Sequence, residues 1–151
     1  MSRSQELPVL LGTAVLPPPF PQRTQRKRPT VCKCILVVED DSSTASLLMQ
    51  VLEEETPYHA FHAATGAQAV QFCRSIKPEL LLVDYRLPDI CGIELTDQLH
   101  AVYDLAAVPV LILSAATMPW DEITERRLAS LSKPFDLDEL LALIESLITM
   151  G

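Results

Sequence analysis

The sequence predicts an α/β protein, a single doubly wound, five-stranded parallel sheet with helices on both faces. Two observations carry that expectation. Short strand-like runs, the first of them (34–38) rich in β-branched residues, alternate five times with longer stretches of helical period, and such alternation gives a parallel sheet covered on both sides. The apolar runs are also continuous, as befits strands buried on both faces. With 151 residues, 48% of them hydrophobic and 21% charged, the chain is one domain's worth and can bury a core without disulfide or metal staples.

The elements follow in order. Residues 34–38 (CILVV) form the first predicted strand. Residues 43–55 follow as a helix with Ala45, Leu48, Met49 and Leu52 on one stripe, and Ser42 or Ser43 can cap it. A second strand is expected at 58–63 and a second helix at 66–75, then a third strand at 80–84 and a third helix at 93–103. The fourth strand covers 108–114, a short helix 120–127, and a brief fifth strand 128–131. Residues 136–149 close the chain as an amphipathic helix with Leu137, Leu140, Leu141, Ile144 and Leu147 inward. Trp120 is expected to pack a loop. There is no internal repeat.

Residues 1–33 differ from the rest. They hold half of the 12 prolines, and six basic residues stand there against Glu6 alone, a balance of +5. The other six basic and nineteen acidic residues leave the body at −13. Proline has no amide donor and fixes its own dihedral, so 1–33 is expected to be a flexible, Pro-rich basic arm, a solvated tail ahead of a domain at 34–150. An acidic body argues against direct DNA binding. The apolar stretch 7–16 is broken by Pro8 and Gly12 and led only by Arg3, which excludes an export signal, and no run reaches the ~18 residues of a membrane helix. Cys32, Cys34, Cys73 and Cys91 read as free thiols, since a lone C-x-C lacks the second half of a metal site. These features point to the cytoplasm.

In a doubly wound sheet, functional groups gather at the carboxyl ends of the strands. Here those ends carry Glu39-Asp40-Asp41, Asp84, Ser114 and Lys133-Pro134. Crowded carboxylates raise one another's pKa, which a divalent cation relieves. Mg2+ suits hard oxygens and keeps room for a phosphate oxygen. Lys133 offers a point charge for a phosphoryl group, Ser114 a hydroxyl, and Asp84, opposite both, a nucleophile for an acyl phosphate. Asp41 and Asp89 are the next candidate acceptors. His59, His62 and His100 are scattered and form no relay.

The segments ILVVEDD (35–41), DYRLPDICG (84–92), VPVLILSA (108–115) and SKPF (132–135), with 44 residues from Asp40 to Asp84 and 30 from Asp84 to Ser114, resemble the response-regulator receiver domains of two-component signalling. The resemblance spans about residues 33–150. It implies the flavodoxin-like receiver fold, with Asp84 as phosphoacceptor and Lys133 and Ser114 on the phosphoryl group. It implies Mg2+ held by Glu39, Asp40, Asp84 and the Arg86 backbone carbonyl, with a cis bond before Pro134. The implied partners are a histidine kinase or phosphotransfer protein, which supplies the phosphoryl group, and a downstream protein target. The module itself is not an enzyme and is expected as a monomer or weak dimer, with no membrane partner.

Two other readings compete. A degenerate receiver would act as a scaffold without phosphorylation. An aspartyl-phosphate phosphatase would need an acid/base two residues after its nucleophile, where this chain has Arg86, which cannot transfer a proton. The sequence departs from the family where Glu39 replaces the commoner Asp and where Ser130 stands in place of a switch aromatic. The 114–133 segment is also about three residues short. Coupling is therefore expected to run from Ser114 through Ala115 and Ala116 toward Trp120.

Overall fold

The computed structural model describes residues 30–31, 33–102, 105–115 and 119–150. Most of the predicted arm, Cys32, the last residue of the predicted third helix (Tyr103) and Ala116 of the expected coupling route lie outside the described residues. In chain order the elements are β1 (Thr30–Val31), β2 (Cys34–Val38), α1 (Ser42–Glu55), β3 (His59–Ala63), α2 (Gly66–Cys73), β4 (Ile76–Lys77) and β5 (Leu80–Asp84). They continue with α3 (Gly92–Val102), β6 (Val110–Ser114), α4 (Trp120–Arg126), β7 (Ala129–Ser132) and α5 (Leu137–Met150). The main sheet is parallel throughout, in the order β3-β2-β5-β6-β7. The five expected strands and five helices are all present, with ends shifted by a residue or two.

The continuous apolar runs do what two-sided burial requires. Alternate residues of each central strand serve opposite faces. Leu36, Val38, Leu81, Val83, Val110 and Ile112 pack with Ala69 of α2, Ile93 and Leu99 of α3 and Ile123 of α4. Ile35, Val37, Leu80, Leu82, Leu111 and Leu113 pack with Leu48 and Leu52 of α1 and Leu140 and Ile144 of α5. Each such fully buried aliphatic side chain contributes about 1.5–3 kcal/mol, so every strand is anchored twice over. Of the expected inward stripe on α5, Leu140 and Ile144 are buried, while Leu137, Leu141 and Leu147 are half-buried. Cys34 and Cys73 are buried thiols and Cys91 a half-buried one, none of them in a disulfide.

Three local expectations change. Helix α1 begins at Ser42, one residue earlier than predicted, so its cap is Asp41 and not Ser42 or Ser43. The Asp41 carboxylate accepts from the Thr44 amide at 2.8 Å and from the Thr44 hydroxyl at 2.6 Å. The predicted arm ends earlier than residue 33, because β1 pairs in parallel with β4, Thr30 opposite Ile76 and Val31 opposite Lys77. The fourth strand starts at Val110, since Pro109 has no amide to give a ladder.

Helix α4 is only 7 residues long. Arg126 fixes it to α3 through a two-pronged bond to Asp97, Nε to Oδ1 at 2.8 Å and Nη2 to Oδ2 at 2.9 Å. The next residue, Arg127, ends the helix at φ 58°, in the left-handed region that disfavours a side chain. Trp120 opens α4 and is 56% exposed, and residues 116–118 of the loop it was expected to pack lie outside the described residues. Arg127→Gly should stabilise the protein by about 0.5–1 kcal/mol, the cost of the left-handed backbone less the extra freedom of glycine in the unfolded chain. Urea unfolding midpoints check this, with the slope unchanged.

Candidate functional site

The main sheet starts with β2, adds β3 on one side as its edge, then crosses to the central β5 on the other. Beside this reversal the strand ends splay and leave a crevice. Val38 stands opposite Val83 in the β2–β5 register, so the residues that follow them, Glu39 and Asp84, lie side by side. Ser114 ends the next strand, with Leu113 opposite Asp84. The Lys133 amide donates to the Ser114 carbonyl at 2.8 Å, which pins the end of β7 to the end of β6.

Glu39 is buried, at 1% exposure, and each of its groups is held. Its amide donates to the Ala63 carbonyl at 3.0 Å, and its Oε2 accepts from the Asp41 amide at 3.1 Å. Its carbonyl lies 2.7 Å from His62 Nε2, which donates in the tautomer that carries the proton there. The Lys133 ammonium sits 2.8 Å from Glu39 Oε1 and 3.6 Å from Asp84 Oδ1. It is the cation that balances two buried carboxylates. The bond from Lys133 to Pro134 is cis.

Asp84 is 8% exposed. Burial first, then the neighbouring Glu39 charge, pushes its carboxyl up to about 6 from the ordinary 3.8, against the pull of Lys133. The Arg86 amide also donates to this carboxylate, while the Arg86 side chain is exposed. Burial works against the charge on Lys133, yet its bond to Glu39 and the two carboxylate charges hold its pKa above the ordinary 10.5.

Glu39, Asp40 and Asp84 each offer one oxygen, and these oxygens lie within 4.8 Å of one another. Three hard donors in that space, with a carboxyl driven toward protonation by crowding, fit a divalent cation such as Mg2+. Glu39, Asp40, Asp84 and Lys133 therefore meet as the sequence suggested, and Ser114 ends the adjoining strand, buried at 1% exposure. Asp41 does not join them, because it caps α1.

Asp89 is likewise occupied. Its oxygens accept from the Gly66 and Ala67 amides at 2.9 Å each, tying the loop after β5 to the start of α2. Those bonds hold its carboxyl below the usual range. The same loop folds back at Gly92, whose amide donates to the Tyr85 carbonyl at 2.7 Å. A Cβ at Gly92 would stand 2.5 Å from the Asp84 carbonyl oxygen, so glycine alone permits this approach. His62 and Asp89 are positioning residues that sequence reasoning assigned no such role. The acidic residue before α2's partner loop was visible in DYRLPDICG, whereas nothing local marks His62.

The raised Asp84 pKa carries a stability consequence in metal-free protein. Between about pH 4 and 6 the folded state holds a proton that the unfolded chain releases, so stability falls as pH rises through that window. Above pH 6 the whole penalty is present. Asp84→Asn should therefore melt higher than the parent chain at pH 7 in EDTA, with the advantage shrinking below pH 6 and gone near pH 4. Thermal unfolding across that range tests it, and a pH-independent difference would contradict the crowding.

The sequence model of the response regulator receiver domain matches residues 35–145. The chain is 29% identical over 117 residues to the polar-differentiation response regulator DivK of Brucella anthropi, covering 76% of this chain and 94% of that one. It is 32% identical over 117 residues to the probable transcriptional regulator ycf29 of Porphyra purpurea, covering 76% of this chain but only 56% of that protein's length. Among solved structures, the receiver domain of sensor histidine kinase PA1611 from Pseudomonas aeruginosa PAO1, with a magnesium ion coordinated in its active-site cleft, superimposes with a TM-score of 0.69 at 26% identity, over 78% of this chain and 98% of that one. With its strand order, its acidic crevice and a match over most of its length, the chain belongs to the response regulator receiver domain family.

Proposed function

We propose that the chain accepts a phosphoryl group on Asp84 from the phosphohistidine of a partner kinase or phosphotransfer protein, and passes the signal on through protein contacts. The observation that carries this reading is the meeting of Glu39, Asp40 and Asp84 with Lys133 at one crevice. Asp84 is the nucleophile because it lies beside both Glu39 and Asp40 and within 3.6 Å of the Lys133 ammonium, whereas Glu39 is buried and bonded to Lys133 at 2.8 Å and Asp41 and Asp89 are engaged as caps. An Asp84 carboxylate oxygen bonds to phosphorus as the N–P bond of the donor breaks, and the electron pair returns to the imidazole. Lys133 is held within reach of the incoming phosphoryl oxygens, and Ser114 supplies a hydroxyl from the neighbouring strand end.

The carboxylates of Glu39, Asp40 and Asp84 and the Arg86 carbonyl would hold Mg2+, a reading supported by the magnesium in the PA1611 receiver domain. When bound, the ion supplies positive charge where the phosphoryl group develops negative charge. The chain's own residues do the rest, by fixing Asp84 in a crevice whose walls are β2, β5 and β6. The absence of an acid/base two residues after Asp84 favours a phosphoacceptor over a phosphatase. A cytoplasmic place and a monomer or weak dimer fit a partner-driven module. Among the described residues no helix is long and apolar enough to cross a membrane.

Ser130 sets the strength of the switch. It is half-buried on β7, opposite Ile112. A serine turning inward gains little, whereas a large aromatic gains of order 1.5–3 kcal/mol, so phosphorylation shifts the two states less here than an aromatic would allow.

Incubation with acetyl phosphate and Mg2+ should add one phosphate by intact mass, and Asp84→Asn should add none while keeping the fold. An unmodified parent chain would favour the scaffold reading, and a modified Asp84→Asn would move the acceptor. Mg2+ alone should raise the melting temperature, and Asp40→Ala should remove that rise. Differential scanning fluorimetry with and without EDTA measures both.

A further inference from the structure

At the opposite end of the sheet from Asp84, the last turn of α1 and the C-terminal half of α5 leave a groove of about 490 Å3. Its floor is the buried Ile144 with the half-buried Tyr58, Leu141 and Ile148, and its rim carries the exposed carboxylates of Glu55 and Glu145. We infer that this groove binds the chain's own residues 17–28, PPPFPQRTQRKR, with the proline and phenylalanine side chains on the apolar floor and the basic residues at the acidic rim.

Three observations support this occupant. The first is proximity. The arm enters the fold at Thr30, and the Lys33 carbonyl accepts from the His59 amide, next to Tyr58. The 10 residues from Phe20 to Thr30 can span roughly 33 Å when extended, enough for a return to the groove. The second is charge. Residues 17–28 hold Arg23, Arg26, Lys27 and Arg28 and no acidic residue, while the body is acidic and the groove's two rim charges are both carboxylates. The third is chemistry already in place. The Lys33 ammonium lies over the Tyr58 ring, 5.6 Å from its centroid, so this aromatic already receives a basic side chain from the arm's end of the chain. Proline-rich segments bind aromatic-lined grooves at low entropic cost, and tethering raises the effective concentration further.

Photo-crosslinking tests it in the full chain. With p-benzoylphenylalanine in place of Phe20, irradiation should give an intramolecular crosslink to peptides containing Tyr58 or residues 141–149. The Glu55→Lys/Glu145→Lys double variant should lower that yield at least roughly threefold, on the scale of one or two exposed ion pairs, and salt should lower it too. Phosphate gain from acetyl phosphate should be unchanged in the same variant, since both residues are exposed and remote from Asp84, and this keeps the test separate from the phosphoacceptor reading. Crosslinks spread over the whole surface, a yield that ignores the charge reversal, or crosslinks only between chains would each overturn the inference, the last by assigning the groove to a second copy.

Discussion

The register of β2 against β5 is the constraint on which the rest of the structure depends. Val38 opposite Val83 sets Glu39 and Asp84 next to each other at the end of two buried strands. Neither carboxylate can move away, because each strand is fixed by apolar side chains on both faces. A slip of one residue would exchange the two apolar sets between faces that are each already packed, and would separate the two acids. The repulsion between them is therefore imposed by the hydrophobic core, at a place where relaxation is blocked.

That imposed crowding explains how the rim is furnished. Lys133 comes from the far edge of the sheet, brought in by the bond of its amide to the Ser114 carbonyl, and its ammonium bridges the two acids. Asp40 is exposed beside them and completes a set of hard oxygens. Asp41 and Asp89 are kept apart by being spent on helix amides, so the acidic rim divides into capping carboxylates and a cluster of Glu39, Asp40 and Asp84 left facing the crevice. A site that holds excess negative charge without a second cation is poised for one.

The two ends of the molecule have different characters. The carboxyl ends of the strands form a charged crevice, built on rigid elements and closed at Gly92 by a loop that tolerates no side chain. The other end carries an apolar groove with acidic edges beside the point where the basic arm enters. Between them the short α4, clamped to α3 by Arg126 and Asp97, leaves Trp120 in solvent.

The sequence by itself determined the layer architecture and the contents of the rim. The short apolar runs at 34–38, 80–84 and 108–114, alternating with helical stretches, read as strands buried on both faces, and chain order then brings Glu39, Asp40, Asp84, Ser114 and Lys133 to one edge. Local pattern also placed α1 and α5 to within a residue or two. Only the tertiary structure showed which acids are engaged as caps. Asp40 and Asp41 are indistinguishable in a run of three carboxylates until the first helical turn takes Asp41 as its cap. His62 meets the Glu39 carbonyl only because β3 pairs in register with β2, a contact across 23 positions that no local signal encodes. The pairing of Thr30–Val31 with Ile76–Lys77 was equally hidden, since two-residue strands have no periodicity to read and exist only because the folded body brings their backbones together.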